Sequence, residues 1–493
     1  MNVVLDDAVQ AYNEQRWDDA IGLATQVLDG DPDNLDALEV FGLARFQIGQ
    51  TDHAITALEF CVERAPGNPR FVGNLGELYR AAGRLDDAVK MLTLACQLQP
   101  GSLSLLEAAA MTCLDLGEVE GAIRALSAIV ELQPEAALVY FNLAEAYRRS
   151  GQFERAVAEY DRAIALDPSI PQMRQQRALA LLAAGDYAQG WPAFESRLDP
   201  LVGNQPALRE PRWEGAFDAN QRVFVYSDQG VGDAILFSRY LPHLAGQGVN
   251  LVVEVPASLI GLMRSSMPNV TFIELGAPRP SCDWQIALGS LPLLYGTTAD
   301  RVPDITPYLT PSPEKIAAWE RQFAPFKEDY LVGIRWAGNP DALGVQLRNA
   351  TAEQLIGTAA GLGSVTFVNL QFDQAEAFAL AAKGHRALEP SSLVRDFEDT
   401  AAVLSQLDLV ISVDTSVLNL AGALNVPAWG LLNFAPEWRW YGPSQHSRWY
   451  PSVRTFCQDR IGNWSAPLAA MRSMLLSQQQ EASSAQAGSM HTQ

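Results

Sequence analysis

Cysteine pairs, basic charge and long apolar runs are all scarce in this chain, and each scarcity excludes something. The five cysteines, Cys61, Cys96, Cys113, Cys282 and Cys457, are odd in number and form no C-x-x-C pair. A disulfide framework or a cysteine zinc site is therefore not expected. Lys and Arg number 35 against 57 Asp and Glu, a net charge of −22. A nucleic-acid binder needs a basic footprint, and an anionic membrane surface repels such a chain for the same reason. No stretch approaches the roughly 18 apolar residues of a membrane span. The opening residues, MNVVLDDAVQAYNEQ, lack the basic and apolar regions of a signal peptide, so a cytoplasmic location is expected.

What is present is a period. Ala20, Ala54, Ala88, Ala122 and Ala156 stand 34 residues apart. Pro32, Pro66, Pro100, Pro134 and Pro168 keep the same beat, as do Gly49, Gly83, Gly117, Gly151 and Gly185. That period and internal spacing resemble tetratricopeptide (TPR) repeats, each a pair of antiparallel helices. Small residues (Gly42, Gly76, Ala110, Ala144 on the first helix, the alanine series on the second) let the helices approach closely. The glycines lie in the turn within each pair, and each proline closes a second helix. Trp17, Phe153 and Tyr187 take equivalent places, and Cys61 falls where Ala95 and Ala163 stand. Five repeats and a degenerate sixth, with glycine in place of alanine and no closing proline, predict a TPR superhelix over residues 1–200. Such an array is a protein-binding surface. Asn74 and Asn142 share one repeat position on its expected concave face, where an amide can bond an extended peptide; the plainer reading is two ordinary polar residues, since Asp6, Val40, Ala108 and Gln176 interrupt the ladder.

From about 205 the pattern changes to alternating strand and helix. RVFVYS, NLVVEV, VTFIEL and DWQIAL read as strands, then YLVGIRWAG, SVTFVNLQ, DLVISVD and PAWGLLN after the Pro-rich VPDITPYLTPSP. Two parallel-sheet α/β lobes follow, at 205–310 and 314–475, with a ligand cleft at the carboxyl ends of the strands. Residues 476–493, ending QQQEASSAQAGSMHTQ, are low in complexity and expected to be disordered.

Two segments carry chemistry. In SDQGVGDAILFSRY, Gly230 and Gly232 predict a tight backbone turn, and Asp233 stands where the next helix starts. It reads either as a reactive carboxylate or as a helix cap. A Rossmann fingerprint would need a third glycine. In DLVISVDTSVLNLAGALNVPAWGLL, an apolar strand ends at Asp414 and Thr415-Ser416 open a helix, a seat for a diphosphate or simply a well-capped helix.

Together, D-Q-G-x-G-D with F-x-R-Y, D-T-S-x-x-x-L-A-G-A-L and APEWRWYGPSQHSRWYPSVRTFCQ resemble bacterial TPR-fused glycosyltransferases. These carry a GT-B domain similar to O-GlcNAc transferase and, more distantly, to lipopolysaccharide heptosyltransferases. The resemblance spans nearly the whole chain. It implies a GT-B fold of two Rossmann-like lobes, acceptor side first and nucleotide-sugar side second. It implies a metal-independent enzyme that needs no cofactor beyond a nucleotide-sugar co-substrate and transfers sugar to Ser or Thr of a protein held by the TPR groove. Some relatives of this architecture modify flagellin. Residue by residue, it makes Asp233 the general base and Asp414, Thr415 and Ser416 the donor-phosphate loop. Trp336, Gly338 and Asn339 match a W-A-G-N-P turn facing the cleft. Arg335, Arg348 or Arg439 would offset the charge of a leaving diphosphate. Two departures stand out: Asn419 occupies the family's usual histidine place, and DALGVQLRNA replaces a basic stretch after W-A-G-N-P. A non-catalytic interaction scaffold with a degenerate transferase domain is the alternative.

Overall fold

The structure is a computed structural model. It describes residues 2–202, 208–216, 218, 220–303, 306–338, 348–359, 364–442 and 445–490. The chain divides into two compact units, Met1–Ile170 and Pro171–Gln493.

The first unit is a helical-repeat solenoid. Its five helix pairs are α1 (Asn2–Asn13) and α2 (Trp17–Gly30), α3 (Leu35–Gln47) and α4 (Thr51–Arg64), α5 (Pro69–Ala81) and α6 (Leu85–Leu98), α7 (Leu103–Leu116) and α8 (Val119–Leu132), and α9 (Ala137–Arg149) and α10 (Phe153–Leu166). Ala20, Ala54, Ala88, Ala122 and Ala156 are all fully buried. Gly49, Gly83, Gly117 and Gly151 adopt left-handed φ angles of 75 to 81°, which glycine takes without the strain of a side chain. Gly42 and Gly76 mark the closest approaches: a Cβ at either would meet Leu58 Cδ2 at 2.5 Å or Leu92 Cγ at 2.7 Å. Each proline of the series follows the end of a second helix by two residues.

The repeat count predicts an array to about 200, whereas the compact division falls between 170 and 171. The sixth pair, α11 (Pro171–Ala184) and α12 (Tyr187–Phe194), belongs to the second unit because its aromatics are buried there. Trp191 lies 5.5 Å from the Trp438 ring and 5.8 Å from that of Trp449, and Trp449 Nε1 donates to the Tyr187 hydroxyl at 2.9 Å.

Two parallel sheets complete the second unit. The first comprises β1 (Arg222–Tyr226), β2 (Asn250–Val255), β3 (Thr271–Glu274) and β4 (Trp284–Ala287), in the order β3-β2-β1-β4. With it run α13 (Val231–Phe237), α14 (Leu241–Gly246), α15 (Ile260–Ser266) and α16 (Leu291–Leu294). The second comprises β5 (Tyr330–Arg335), β6 (Val365–Asn369), β7 (Arg386–Leu388), β8 (Leu409–Val413), β9 (Ala428–Leu432) and β10 (Val453–Cys457), in the order β10-β9-β8-β5-β6-β7. Its helices are α17 (Pro313–Phe323), α18 (Ala352–Ala359), α19 (Ala375–Ala381), α20 (Phe397–Leu404), α21 (Ser416–Ala423) and α22 (Ser465–Met490). The short edge strands β7 and β10 carry no alternation strong enough to be predicted. The tail expected to be disordered from 476 is instead helical as far as Met490; Ala, Gln, Glu and Met favour that state.

The chain order reverses once in each sheet, between β1 and β4 in the first and between β5 and β8 in the second. Crevices for ligands open at the carboxyl ends of strands at such reversals.

Candidate functional site

The turns leaving β1 and β8, each beside a reversal, meet one another. Gly232 sits against α21: a Cβ there would lie 3.1 Å from Asn419 Nδ2 and 3.9 Å from the Ser416 Cα. The Gly-x-Gly spacing thus serves a close approach of two helices. Gly230 is the N-cap of α13, and no side chain caps it. Asp233 lies in the first turn and does not cap. Its Oδ1 accepts from Arg439 Nη2 at 2.6 Å across 206 residues of sequence. Arg439 is buried and also donates to Glu437 at 2.7 Å. Burial works against its charge, but Asp233, Glu437 and Asp414 outweigh burial and push its pKa up.

Asp414 directly follows β8 beside this cluster. Burial first, then repulsion from Glu437, pushes its carboxyl up to about 7, while Arg439, the Trp440 indole and Arg348 pull the other way. The Trp440 N–H nevertheless makes no well-formed hydrogen bond. Thr415 is the N-cap of α21 without a side-chain cap bond, and its hydroxyl lies 3.1 Å from Ser412 Oγ. The first N–H groups of this eight-residue helix therefore have no side-chain acceptor from their cap. Thr415 and Ser416 are half-buried.

Arg335 ends β5 in register with Ser412 of β8. Its Nη1 donates to the Leu370 carbonyl at 2.8 Å, its buried Nε has no partner, and burial lowers its pKa. Arg348 is half-buried. Gly338 N donates to Asn349 Oδ1 at 3.0 Å.

Two expected site residues stand differently. Trp336 does not face the crevice; its ring stacks on Phe378 in the core of the second lobe, with Nε1 donating to Gln374 at 3.0 Å. Asn419 is an enclosed strut: its Nδ2 donates to the Thr415 carbonyl at 3.1 Å and its Oδ1 accepts from the Tyr450 hydroxyl at 3.1 Å. Asn339 lies outside the described residues. In the first unit, Asn74 and Asn142 are both half-buried, and Asn74 donates to Glu39 Oε1 at 2.8 Å.

Sequence reasoning missed Glu437 and a second network under the β1 turn. Asp228 accepts from Gly289 N at 3.0 Å and pairs with buried Arg197 at 2.7 Å; Arg197 also reaches Glu195 and Ser290. This network ties the segment following the sixth helical pair to the turn that carries Asp233. Asp228 lies within the D-Q-G-x-G-D motif, but nothing local flags Arg197 as its partner. The arginine of F-x-R-Y, Arg239, is structural: it donates to the Trp449 carbonyl at 2.8 Å and lies about 5 Å from the rings of Tyr308, Trp449 and Tyr450. Among the described residues no group of three or more His, Cys, Asp or Glu is placed to hold a metal, and no helix is long and apolar enough to cross a membrane.

Two tetratricopeptide repeat models match residues 46–109 and 108–171, so the solenoid of the first unit is a TPR solenoid. A relative, Protein FlbA of Caulobacter vibrioides, is 29% identical over 373 residues, covering 68% of this chain. The chain spans 61% of that relative's length. Among solved structures, a crystal structure of MamA is 22% identical over 33% of this chain and 94% of its own, with a TM-score of 0.30. A second MamA structure is 25% identical over 34% and 97%, with a TM-score of 0.31.

Proposed function

We propose that this chain is a glycosyltransferase whose second unit is a GT-B domain and whose TPR solenoid recruits the protein it modifies. One observation carries the reading: the turn after β1, with Asp233, and the turn after β8, with Asp414, Thr415, Ser416 and the open end of α21, converge on Arg439. A diphosphate finds helix N–H groups and buried arginine there, without metal chemistry being required of the residues present. Donor and acceptor would thus be held by opposite lobes.

In this reading the acceptor Ser or Thr hydroxyl gives its proton to Asp233, through Oδ2, since Oδ1 faces Arg439. The hydroxyl oxygen forms the new bond to the anomeric carbon as the bond from that carbon to the phosphate oxygen breaks. The nucleoside diphosphate leaves with the electron pair, and Arg439 offsets its charge, with Arg335 and Arg348 as further candidates. Flagellin is one candidate acceptor. The departure at Asn419 keeps the non-catalytic scaffold as the rival reading, because that side chain neither carries a proton nor faces a ligand.

The test is direct. Asp233→Asn should keep donor binding and lose roughly 10²–10⁴ in transfer rate, measured with UDP-, GDP- and CMP-sugars and by intact mass of acceptor. Near-normal turnover would remove Asp233 as base. No melting-temperature shift with any nucleotide-sugar, and no mass gain on any acceptor with the unaltered chain, would favour the scaffold.

A further inference from the structure

Two carboxylates, those of Asp233 and Glu437, share one guanidinium, whose charge Asp414 also feels. Arg439 is only 6% exposed, yet its Nη2 serves both Asp233 and Glu437, and its buried Nε has no partner. A planar fork with five donors is satisfied best by a bidentate oxyanion, and neither carboxylate engages it that way. The two partners also differ. Asp233 is held on α13, with its side chain 19% exposed. Glu437 is 49% exposed, and its carboxylate has no other hydrogen-bond partner among the described residues. A half-exposed ion pair is weak and easily exchanged, whereas an arginine–phosphate pair is strong and geometrically matched.

We propose that Glu437 is a placeholder: its carboxylate occupies the position on Arg439 that a diphosphate takes on binding, and the arriving ligand turns Glu437 out to solvent. The inference rests on the phosphate seat argued above and adds a residue that governs how readily the seat is filled. It makes Glu437 a competitor of the ligand, so that its removal should improve binding. A residue that merely supported the fold would do the reverse.

The experiment is calorimetric titration of the full chain with inorganic pyrophosphate, repeated with uridine diphosphate. Glu437→Gln should tighten pyrophosphate binding roughly threefold to tenfold, the range expected when a weak competing charge pair is removed. Glu320→Gln, on the exposed side of α17, makes the same change in net charge away from the site and should leave the Kd where it was. Glu437→Ala guards against a local misfit of the amide, with circular dichroism to verify folding. Equal or weaker binding in both Glu437 variants, with measurable binding in the unaltered chain, overturns the placeholder and leaves the phosphate seat standing. Equal tightening by Glu320→Gln also overturns it. Failure of every variant and of the unaltered chain to bind either probe overturns the seat and the placeholder together.

Discussion

The TPR solenoid and the two-lobed unit bury different things. The solenoid packs alanine and glycine against leucine between helices that neighbour one another in sequence, as at Gly42 against Leu58 and Gly76 against Leu92. The lobed unit buries tryptophan, tyrosine and arginine contributed by segments hundreds of residues apart, as in Tyr187 with Trp449 and Asp233 with Arg439. Solenoid stability is therefore close to a sum over adjacent repeats. The lobed unit depends on a centre that forms only when distant segments have all arrived, and such a centre fails as a whole.

The sharpest way to break that contrast is Trp191→Ala. The indole is buried, donates to the Thr297 carbonyl at 3.1 Å and meets the rings of Tyr187, Phe194, Trp438 and Trp449. Deleting a buried aromatic of this size costs about 3–5 kcal/mol. The expected result in a denaturant titration is early unfolding of residues 171–493 with the TPR transition unmoved. A shift of both transitions by equal amounts would show that the two units do not unfold separately.

Next in size is a pH effect confined to the lobed unit. Asp414 has a folded pKa of about 7, against roughly 3.9 for an unfolded aspartate. The folded state therefore binds the proton more tightly, and this group makes stability fall as pH rises from about 4 to about 7, then level off. The slope it adds is at most about 1.4 kcal/mol per pH unit. Asp414→Asn should remove that slope, so the variant gains on the unaltered chain as pH rises through this window. Parallel stability curves for the two proteins would show that Asp414 is ionised throughout.

The same contrast sets what could be read from the sequence. The solenoid was legible because its contacts repeat every 34 residues, so that one correctly placed alanine or glycine located five. The main strands were legible because each is a short apolar run between turns. The two turns were legible as places, since Gly-x-Gly and a strand ending in Asp-Thr-Ser are local signals. Their contents were less so. The partners of Asp233 and Asp228 lie 206 and 31 residues away, and no spacing rule connects them. Trp336 was expected at the cleft because W-A-G-N-P matches a family turn, yet the backbone turns its ring onto Phe378 in the core. Glu437 carried no signal at all: an exposed glutamate beside tryptophans becomes informative only once Arg439 is seen to lack a bidentate partner.

The smallest effect sharpens the comparison from the solenoid side, through a pair of glycines expected to respond with opposite sign. At Gly22, inside α2, an added Cβ meets nothing within 4 Å. Gly22→Ala should raise the stability of the TPR unit by about 0.5–1 kcal/mol, because alanine restricts the unfolded chain and favours the helix. At Gly76, inside α5, the same Cβ would lie 2.7 Å from Leu92 Cγ and 3.2 Å from the Leu92 backbone nitrogen. The helical gain is the same there, but overpacking costs about 1–3 kcal/mol and outweighs it. Ala110 and Ala144 hold that place in the next two repeats, so the spacing between helices is set repeat by repeat, not by the fold as a whole. Urea titrations of residues 1–170 should therefore move the midpoint up for Gly22→Ala and down for Gly76→Ala, with the double variant equal to their sum. A rise for Gly76→Ala would mean that α5 and α6 can part by a methyl's width at little cost, and that close approach is not what selects glycine in the second and third repeats.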